Sequence, residues 1–573
     1  MKRILSFMGK YRKYGIIAAL CVMGEAACEL IVPFIMADMV DVGVANGDKP
    51  YIFQRGILMA VFAVIAFFLG ITSAKYAAKC GQGLGAELRK EEYRKLQGFS
   101  FGNMDHFQNS SLITRLTSDI TTIQNSVSTG MRPAFRAPIM MFLAVGLAFS
   151  ISGKLAVIFL VALPVLAVLL FTIIFHVRPL YSRMQGAIDL VNRIIQENLT
   201  AIRVVKAYVR GDHEIEKFNE VNENLQGISE KAFRLAVLNM PVMQYVIYAT
   251  ILAILWFGGN MIMVGGMKVG ELTGVLSYVM QILNSLMMIS NVFMMMTRAL
   301  ASGRRVLEVI DEEPEIKDNR ESTACVEKGG IVFDHVWFKY RKDAPEYVLS
   351  DISFEIQPGQ TVGIIGQTGS AKSTLVQLIP RLYEATKGSV LVDGREVGAY
   401  SLEHLRDAVA MVLQKNTLFS GTIRENLKWG NPNADEQELD RACRIARVDE
   451  FLDRLPGGYD MELGQGGSNV SGGQKQRLCI ARAILKKPKV LIMDDSTSAV
   501  DTATEAAIQK ALKEELPDMT KIIIAQRISS VEQADKILVL QDGHLLASGT
   551  HQELMEGCGL YREIAWSQKR EVG

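Results

Sequence analysis

The chain has almost no surplus of charge. Its 573 residues carry 62 Lys and Arg against 61 Asp and Glu, a formal net charge of +1. Gripping a phosphate backbone needs a basic excess, so this balance argues against nucleic acid as the main partner. Cysteine is also sparse. Cys21, Cys28, Cys80, Cys325, Cys443, Cys479 and Cys558 are scattered without metal-ligand spacing, the pattern of reduced thiols in apolar packing. No low-complexity tract and no repeat of solenoid period occurs. Beyond about Asp311 there are no long uncharged runs, which confines any membrane-crossing part to the first half.

What is there is length and apolarity. A chain of 573 residues exceeds one core, so at least two domains are expected. The hydrophobic fraction of 49% and the mean hydropathy of +0.18 are high for a soluble protein. The apolar residues concentrate in six runs, Tyr14–Met36, Gly56–Ala77, Ala137–Ser152, Leu155–Phe175, Pro241–Val264 and Leu272–Met295. Most reach the roughly 20 residues a helix needs to cross a bilayer, and the third is short. Lys2, Arg3, Lys10, Arg12 and Lys13 precede the first run, and the two long connections are rich in Lys and Arg. Positive residues stay inside, so the N-terminus, the long connections and the C-terminal half are expected in the cytoplasm of a multi-pass plasma-membrane protein. The first run is too long for a signal peptide and is followed by no small-residue cleavage pattern, so it reads as a retained membrane helix.

The long connections, about Lys79–Arg132 and Arg178–Asn239, are polar and helical by periodicity. They read as extensions of the membrane helices that turn back in the cytoplasm, with Ile113–Asp119 and Ala201–Tyr208 at the far tips. The resulting division is a membrane domain over residues 1–310, a charged linker over 311–330 carrying Pro314, and a second domain over 331–573. The fold class expected is an α-helical membrane domain with six transmembrane helices, followed by an α/β domain.

From Ile331 short β-rich runs alternate with amphipathic helices. Thr361–Ile365 reads as a strand leading into Gly366-Gln367-Thr368-Gly369-Ser370-Ala371-Lys372-Ser373-Thr374 and then a helix near Leu375. This is a phosphate loop of the G-x-x-x-x-G-K-[ST] kind. Backbone N–H groups wrap the phosphates of ATP, Lys372 adds charge, and Ser373 offers its hydroxyl to Mg²⁺. The helix N-terminus adds its dipole. The glycine before the lysine is replaced by Ala371. Its Cβ either crowds the phosphate or forces a costly dihedral, or alanine is tolerated with slightly weaker binding.

Val490-Leu-Ile-Met-Asp494 reads as a buried strand presenting a carboxylate to Mg²⁺, and Asp495 follows it. Ser471-Gly472-Gly473-Gln474 opens a helix through Ile484, a second anion site of N–H groups and dipole. One nucleotide does not need two such sites in one chain. The second makes sense if it closes on a nucleotide held by another subunit.

With these motifs in place, the whole chain resembles an ATP-binding cassette exporter half-transporter. The resemblance implies roles. Tyr340 matches the aromatic that stacks on adenine, Gly366–Thr374 the Walker A loop, and Gln414 the glutamine that reads Mg²⁺ and contacts the membrane domain. Ser471–Gln474 matches the signature, Asp494 the Walker B aspartate, and Ser498–Asp501 the D-loop. It also exposes departures. Besides Ala371, Asp495 stands where the family carries the glutamate that polarises water. Gln526 stands where it carries the switch histidine, and Gln465 where glutamate often precedes the signature. Asp is a methylene shorter than Glu, and about an ångström of misplacement can cost on the order of 100-fold. Losing a positioned base costs roughly 10²–10⁴-fold. The expectation is ATP binding with little hydrolysis at this chain's own loop, and a good signature lent to a partner's competent site. Family resemblance supports that arrangement, since heterodimeric exporters pair a degenerate site with a competent one.

The membrane half says less about what is moved. Its last two spans are rich in Met, including Met287 and Met294, which packs helices or lines an adaptable cavity for small hydrophobic substrates or membrane lipids. Glu25 and Glu29 lie one turn apart inside the first span, facing either cationic substrates or a basic side chain on a neighbouring helix. The function expected is one subunit of a heterodimeric, multidrug-type exporter of hydrophobic or amphipathic compounds. The alternatives are a homodimeric peptide or lipid exporter with slow turnover, and an ATP-sensing membrane protein that never turns over.

Overall fold

Inside a bilayer no water satisfies backbone N–H and C=O groups, so each apolar run must form a helix. In the computed structural model, which describes residues 2–495 and 500–571, six helical segments are long and apolar enough to cross a membrane: Gly9–Val44, Lys49–Gln97, Asn109–Ile151, Gly153–Thr200, Gly211–Met263 and Val269–Asp311. The chain divides into two units. One is Met1–Leu96 with Asn109–Asp311, and the other is Gln97–Gln108 with Glu312–Gly573. The segment Gln97–Gln108 therefore clusters with the C-terminal unit, although the sequence places it within residues 1–310.

The principal helices are α1 (Arg12–Asp38), α2 (Lys49–Gln97), α3 (Phe101–His106), α4 (Met131–Ile151), α5 (Gly153–Thr200), α6 (Gly211–Val237), α7 (Asn239–Met263) and α8 (Val269–Asp311). At 1.5 Å per residue, α2 is about 74 Å long, more than twice the roughly 30 Å apolar thickness of a bilayer. Its second half is the cytoplasmic extension that its polar sequence announces. The membrane core gathers Ala26 and Leu30 of α1, Met140 and Ala144 of α4, Phe159 and Leu166 of α5, and Tyr278 and Ile282 of α8. Buried Tyr278 donates its hydroxyl hydrogen to Leu30 O at 2.8 Å. Outward-facing Phe68, Phe171, Phe175 and Trp256 remain exposed, as a lipid-facing surface requires.

The returning segment of the first connection differs from expectation. Arg115–Asp119 forms a π-helical turn that packs on α8. Arg305 donates to both Asp119 carboxylate oxygens, one bond being 2.7 Å, and Arg115 pairs with Glu308 at 2.9 Å. Short helix α3 forms instead within Gln97–Gln108, where Ser100 and Asn103 build a capping box. In the second connection a short helix, Ile202–Ala207, lies between α5 and α6.

In the C-terminal unit, β1 (Ile331–Phe338), β2 (Leu349–Ile356), β3 (Thr361–Gly366), β4 (Lys387–Val392), β5 (Arg395–Glu396), β6 (Val409–Val412), β7 (Val490–Asp494), β8 (Thr520–Ile524), β9 (Lys536–Gln541) and β10 (His544–Gly549) form two sheets. One is antiparallel with order β2-β1-β4-β5. The other has order β10-β9-β3-β8-β7-β6, with all neighbours parallel except β9 and β10. Strands β7 and β8 are buried at every position, as a parallel sheet covered on both faces demands. Four adjacent strands, β3, β8, β7 and β6, thus present their C-terminal ends along one edge, the place where open parallel sheets bind ligands.

Candidate functional site

The edge assembles the nucleotide site from four distant parts of the sequence. Register sets Ile524 opposite both Ile364 and Asp494, and Val412 opposite Met493. The residues just beyond these positions, the Gly366–Thr374 loop, Gln526, Asp495 and Gln414, emerge side by side. Gly366 begins the loop because a Cβ there would strike Leu540 O, and Gly369 has φ +87°. Lys372 folds back over the loop, its Nζ donating to Gly366 O and Gln367 O, each at 2.9 Å. Ser373 donates its hydroxyl to Asp494 Oδ1 at 2.8 Å. The helix that follows spans only Lys372–Gln377, so its dipole is smaller than the sequence suggests, and the loop N–H groups and Lys372 carry the anion affinity.

Ala371 occupies the left-handed region, with φ 68° and ψ 25°. An L-residue with a Cβ pays about 1–2 kcal/mol there. Of the alternatives raised by the missing glycine, the dihedral cost is present in the fold.

Asp494 is buried, 2% exposed. Burial pushes its carboxyl above the ordinary range, Ser373 and Lys372 pull it down, and Asp495 adds to the rise. Burial likewise pushes Asp495 up, against donation from Gln414 and Gln526. The Lys372 ammonium is pushed down by burial, opposed by Asp495 and Asp494. Gln526 Nε2 donates to Asp495 Oδ2 at 2.8 Å, and Gln414 Nε2 lies 3.5 Å from the same oxygen. Ser373 Oγ, Asp494 and the Gln414 amide oxygen are hard oxygen donors of the kind Mg²⁺ takes. Tyr340, 44% exposed, has an open face for a base, and its hydroxyl lies 2.8 Å from Thr374 Oγ1.

Ser471 caps the 14-residue helix Gly472–Leu485. Ser471 N donates to Gln474 Oε1 at 2.8 Å, and Gln474 N donates to Ser471 Oγ. Ser471 and Gly472 are exposed. Among the described residues, no hydrogen bond joins Ser471–Gln474 to the Gly366–Thr374 loop. Asp501 caps the helix Thr502–Glu515 through Thr504 N at 2.9 Å, which lowers its carboxyl pKa. Ser498 and Ala499 of the D-loop lie outside the described residues.

In the membrane unit, Glu25 and Glu29 line a cavity of about 810 Å³ together with Arg132, Arg136, Gln281 and Met288. Arg136 Nη1 donates to Glu25 Oε1 at 2.9 Å, and Arg132 Nη2 reaches the same oxygen at 3.0 Å. Arg136 also pairs with Glu29. The carboxylates are therefore matched by cations on α4. Met287 and Met294 do not line this cavity. Met287 packs against the membrane core, because each step along a helix rotates a side chain by about 100°, and it is Met288 that faces inward. Arg132 and Arg136 are functional candidates that reading the sequence missed. The available signal was a pair of arginines one turn apart, matching two glutamates one turn apart.

Six membrane helices joined to a P-loop domain define an ATP-driven transport protein. The family described as ABC transporter transmembrane region matches residues 16–286, and the ABC transporter family matches residues 349–498. The chain is 39% identical over 570 residues to the ABC transporter ATP-binding protein YfiB of Bacillus subtilis (strain 168), covering 99% of this chain and 98% of that one. It is 31% identical to the ATP-dependent lipid A-core flippase of Desulfotalea psychrophila (strain LSv54 / DSM 12343), covering 98% of each. The structure of a bacterial Atm1-family ABC exporter with ATP bound superposes with a TM-score of 0.81 at 25% identity, over 97% of this chain and 98% of that one. The chain belongs to the ABC transporter family. It is an ABC exporter, a multi-pass membrane protein with a cytoplasmic nucleotide-binding domain.

Proposed function

We propose that this exporter chain works as one half of a heterodimer, holding ATP at a weakened site and lending its signature to a partner's competent site. The observation that carries this is the Asp495–Gln526 hydrogen bond beside an ordered Ser471 cap. A carboxylate held by a neighbouring amide is a poor base for water, and Gln526 carries neither proton nor positive charge to a γ-phosphate. The signature half, by contrast, presents Ser471 at the N-terminus of a full helix, suited to an anion.

On this reading Tyr340 stacks the base, residues 366–374 wrap the phosphates, and Lys372 neutralises charge. Ser373, Gln414 and Asp494 would hold Mg²⁺, which when bound stabilises charge on the phosphate oxygens. ATP at both sites clamps two nucleotide-binding domains, and the membrane helices exchange inward for outward access. The cavity wall of Phe62, Phe67 and Met288 suits a hydrophobic or amphipathic compound. With Glu25 and Glu29 already paired, net charge gives cations no advantage.

The test is Ser471→Arg against Asp495→Asn in the assembled exporter. Ser471→Arg is expected to lower ATPase on the order of 100-fold, the scale of losing a positioned stabilising donor, and Asp495→Asn to change it little. The reverse order overturns the assignment. A second reading, a homodimeric lipid exporter, is favoured by the 31% identity to the flippase. Under that reading the purified chain alone hydrolyses ATP vigorously and lipid stimulates it.

A further inference from the structure

Tyr383 touches both the base platform Tyr340 and helix α3. Its ring meets Tyr340 edge-on, with centroids 5.1 Å apart and planes at 87°. The same ring meets Phe101 of α3 at 5.9 Å and 88°, and packs on Phe338 at 5.6 Å. Its hydroxyl donates to Asp105 Oδ2 at 2.7 Å. Burial and the neighbouring Asp105 push its phenol pKa upward, so the hydroxyl remains a donor throughout the physiological range. Helix α3 is covalently continuous with α2 through Phe99 and Ser100.

A second set of bonds anchors α3 to residues 312–315. Asn103 is fully buried. Its Nδ2 donates to Glu312 Oε1 at 3.0 Å and Glu313 O at 2.9 Å, while its Oδ1 accepts from Glu315 N at 2.9 Å. A Cβ on Gly102 would strike the Glu315 carboxylate. These bonds fix α3 to the linker, whereas the Tyr383 ring and hydroxyl join it to a residue that also touches Tyr340.

We propose that Tyr383 is a positioning residue that reports adenine occupancy at Tyr340 to helix α3. The inference rests on Tyr340 being the base platform. A base stacked on the open face of Tyr340 restricts that ring. A restricted ring fixes the edge against which Tyr383 packs, and an ordered Tyr383 holds Phe101 and Asp105. The signal is a loss of motion carried by packed rings rather than a displacement. It reads the base, so it is separable from the response to phosphate at Lys372 and Ser373.

The experiment is hydrogen exchange of amides 101–106 in the full chain in lipid nanodiscs, with Mg-ATP or with Mg-tripolyphosphate, which has phosphates and no base. ATP is expected to slow exchange at these amides at least about fivefold, the lower end of ordinary coupling between sites, and tripolyphosphate to leave it unchanged. Tyr383→Phe keeps the ring and removes the hydroxyl, and Asp105→Ala removes the acceptor. Each is expected to abolish most of the ATP-dependent protection, and the double variant no more than either alone. ATP affinity, measured in parallel, stays within about twofold in Tyr383→Phe, which separates this role from loss of the fold or of the site. Equal protection by ATP and tripolyphosphate overturns the proposal, as does full ATP protection in Tyr383→Phe. If Tyr340→Ala leaves ATP affinity unchanged, the platform reading fails and the relay with it. If Tyr340→Ala weakens ATP while amides 101–106 of the parent chain respond equally to ATP and tripolyphosphate, only the relay fails.

Discussion

Gln526 Nε2 donates to Asp495 Oδ2 at 2.8 Å, so the two residues on which the proposed weak site rests are bonded to each other. The bond is possible because β7 and β8 are neighbours with Asp494 in register with Ile524. It ties the carboxylate proposed for the base position to an amide that cannot take a proton from it. Lengthening one side chain without changing the other would leave that partnership partly in place.

Restoring both positions should therefore act more than additively. Asp495→Glu with Gln526→His is expected to raise the chain's own ATPase on the order of 100-fold, and each single change to raise it much less. Steady-state phosphate release from the purified chain measures this. A double variant as slow as the parent would mean that another feature limits turnover.

Ala371 offers a stability test. Its φ of 68° is comfortable for glycine. Ala371→Gly should stabilise the nucleotide-free protein by about 1 kcal/mol, the left-handed penalty less the added freedom of the unfolded glycine. ATP affinity should rise in the same variant. Calorimetric melts and nucleotide titration check the two effects separately.

The buried carboxylates make a pH prediction. Asp494 and Asp495 both have folded pKa values raised above 3.8. Below that value both groups are protonated folded or unfolded, and their contribution is fully present. As pH climbs from 3.8 through the raised values, the unfolded chain releases protons first, so stability falls. At neutral pH the ionised pair Asp494 and Asp495 is thus expected to lower the stability of the nucleotide-free protein relative to acid pH. Asp494→Asn should raise Tm at pH 7, flatten the decline across that window, and abolish extra stabilisation by Mg-ATP over ATP alone.

In the membrane unit, Glu25 binds two arginines from α4. Glu25→Gln leaves Arg132 and Arg136 with one carboxylate between them and should destabilise the detergent-solubilised protein by about 3 kcal/mol. Glu25→Gln with Arg136→Gln should recover part of the loss, because the uncompensated charge is gone. Thermal unfolding of the four-member cycle measures the coupling.

The sequence by itself determined the parts of this protein that are local. Six apolar runs could only be membrane helices, because length and hydropathy are properties of a window. The phosphate loop, the Asp494 strand and the Ser471 cap were legible because each is a short motif whose chemistry sits within about ten residues. Position 371 was legible as a departure from the loop's glycine, but the sequence does not separate crowding of the phosphate, backbone strain and simple tolerance, and the φ of 68° came from the structure. Only the tertiary structure decided what is non-local. The order β3-β8-β7-β6 brings Gln526 against Asp495 across 31 residues of chain, and no periodicity encodes which parallel strands are neighbours. Arg132 and Arg136 shortened the third apolar run, and only packing of α4 against α1 explains why they are tolerated there. Helix α3 reads as one polar stretch among others. What sets it apart is Asn103, buried among Glu312, Glu313 and Glu315 some 210 residues away, and a tyrosine ring that no local pattern connects to it. Side-chain chemistry is written in the sequence, but the distances between distant side chains are settled by the packing of sheets and helices.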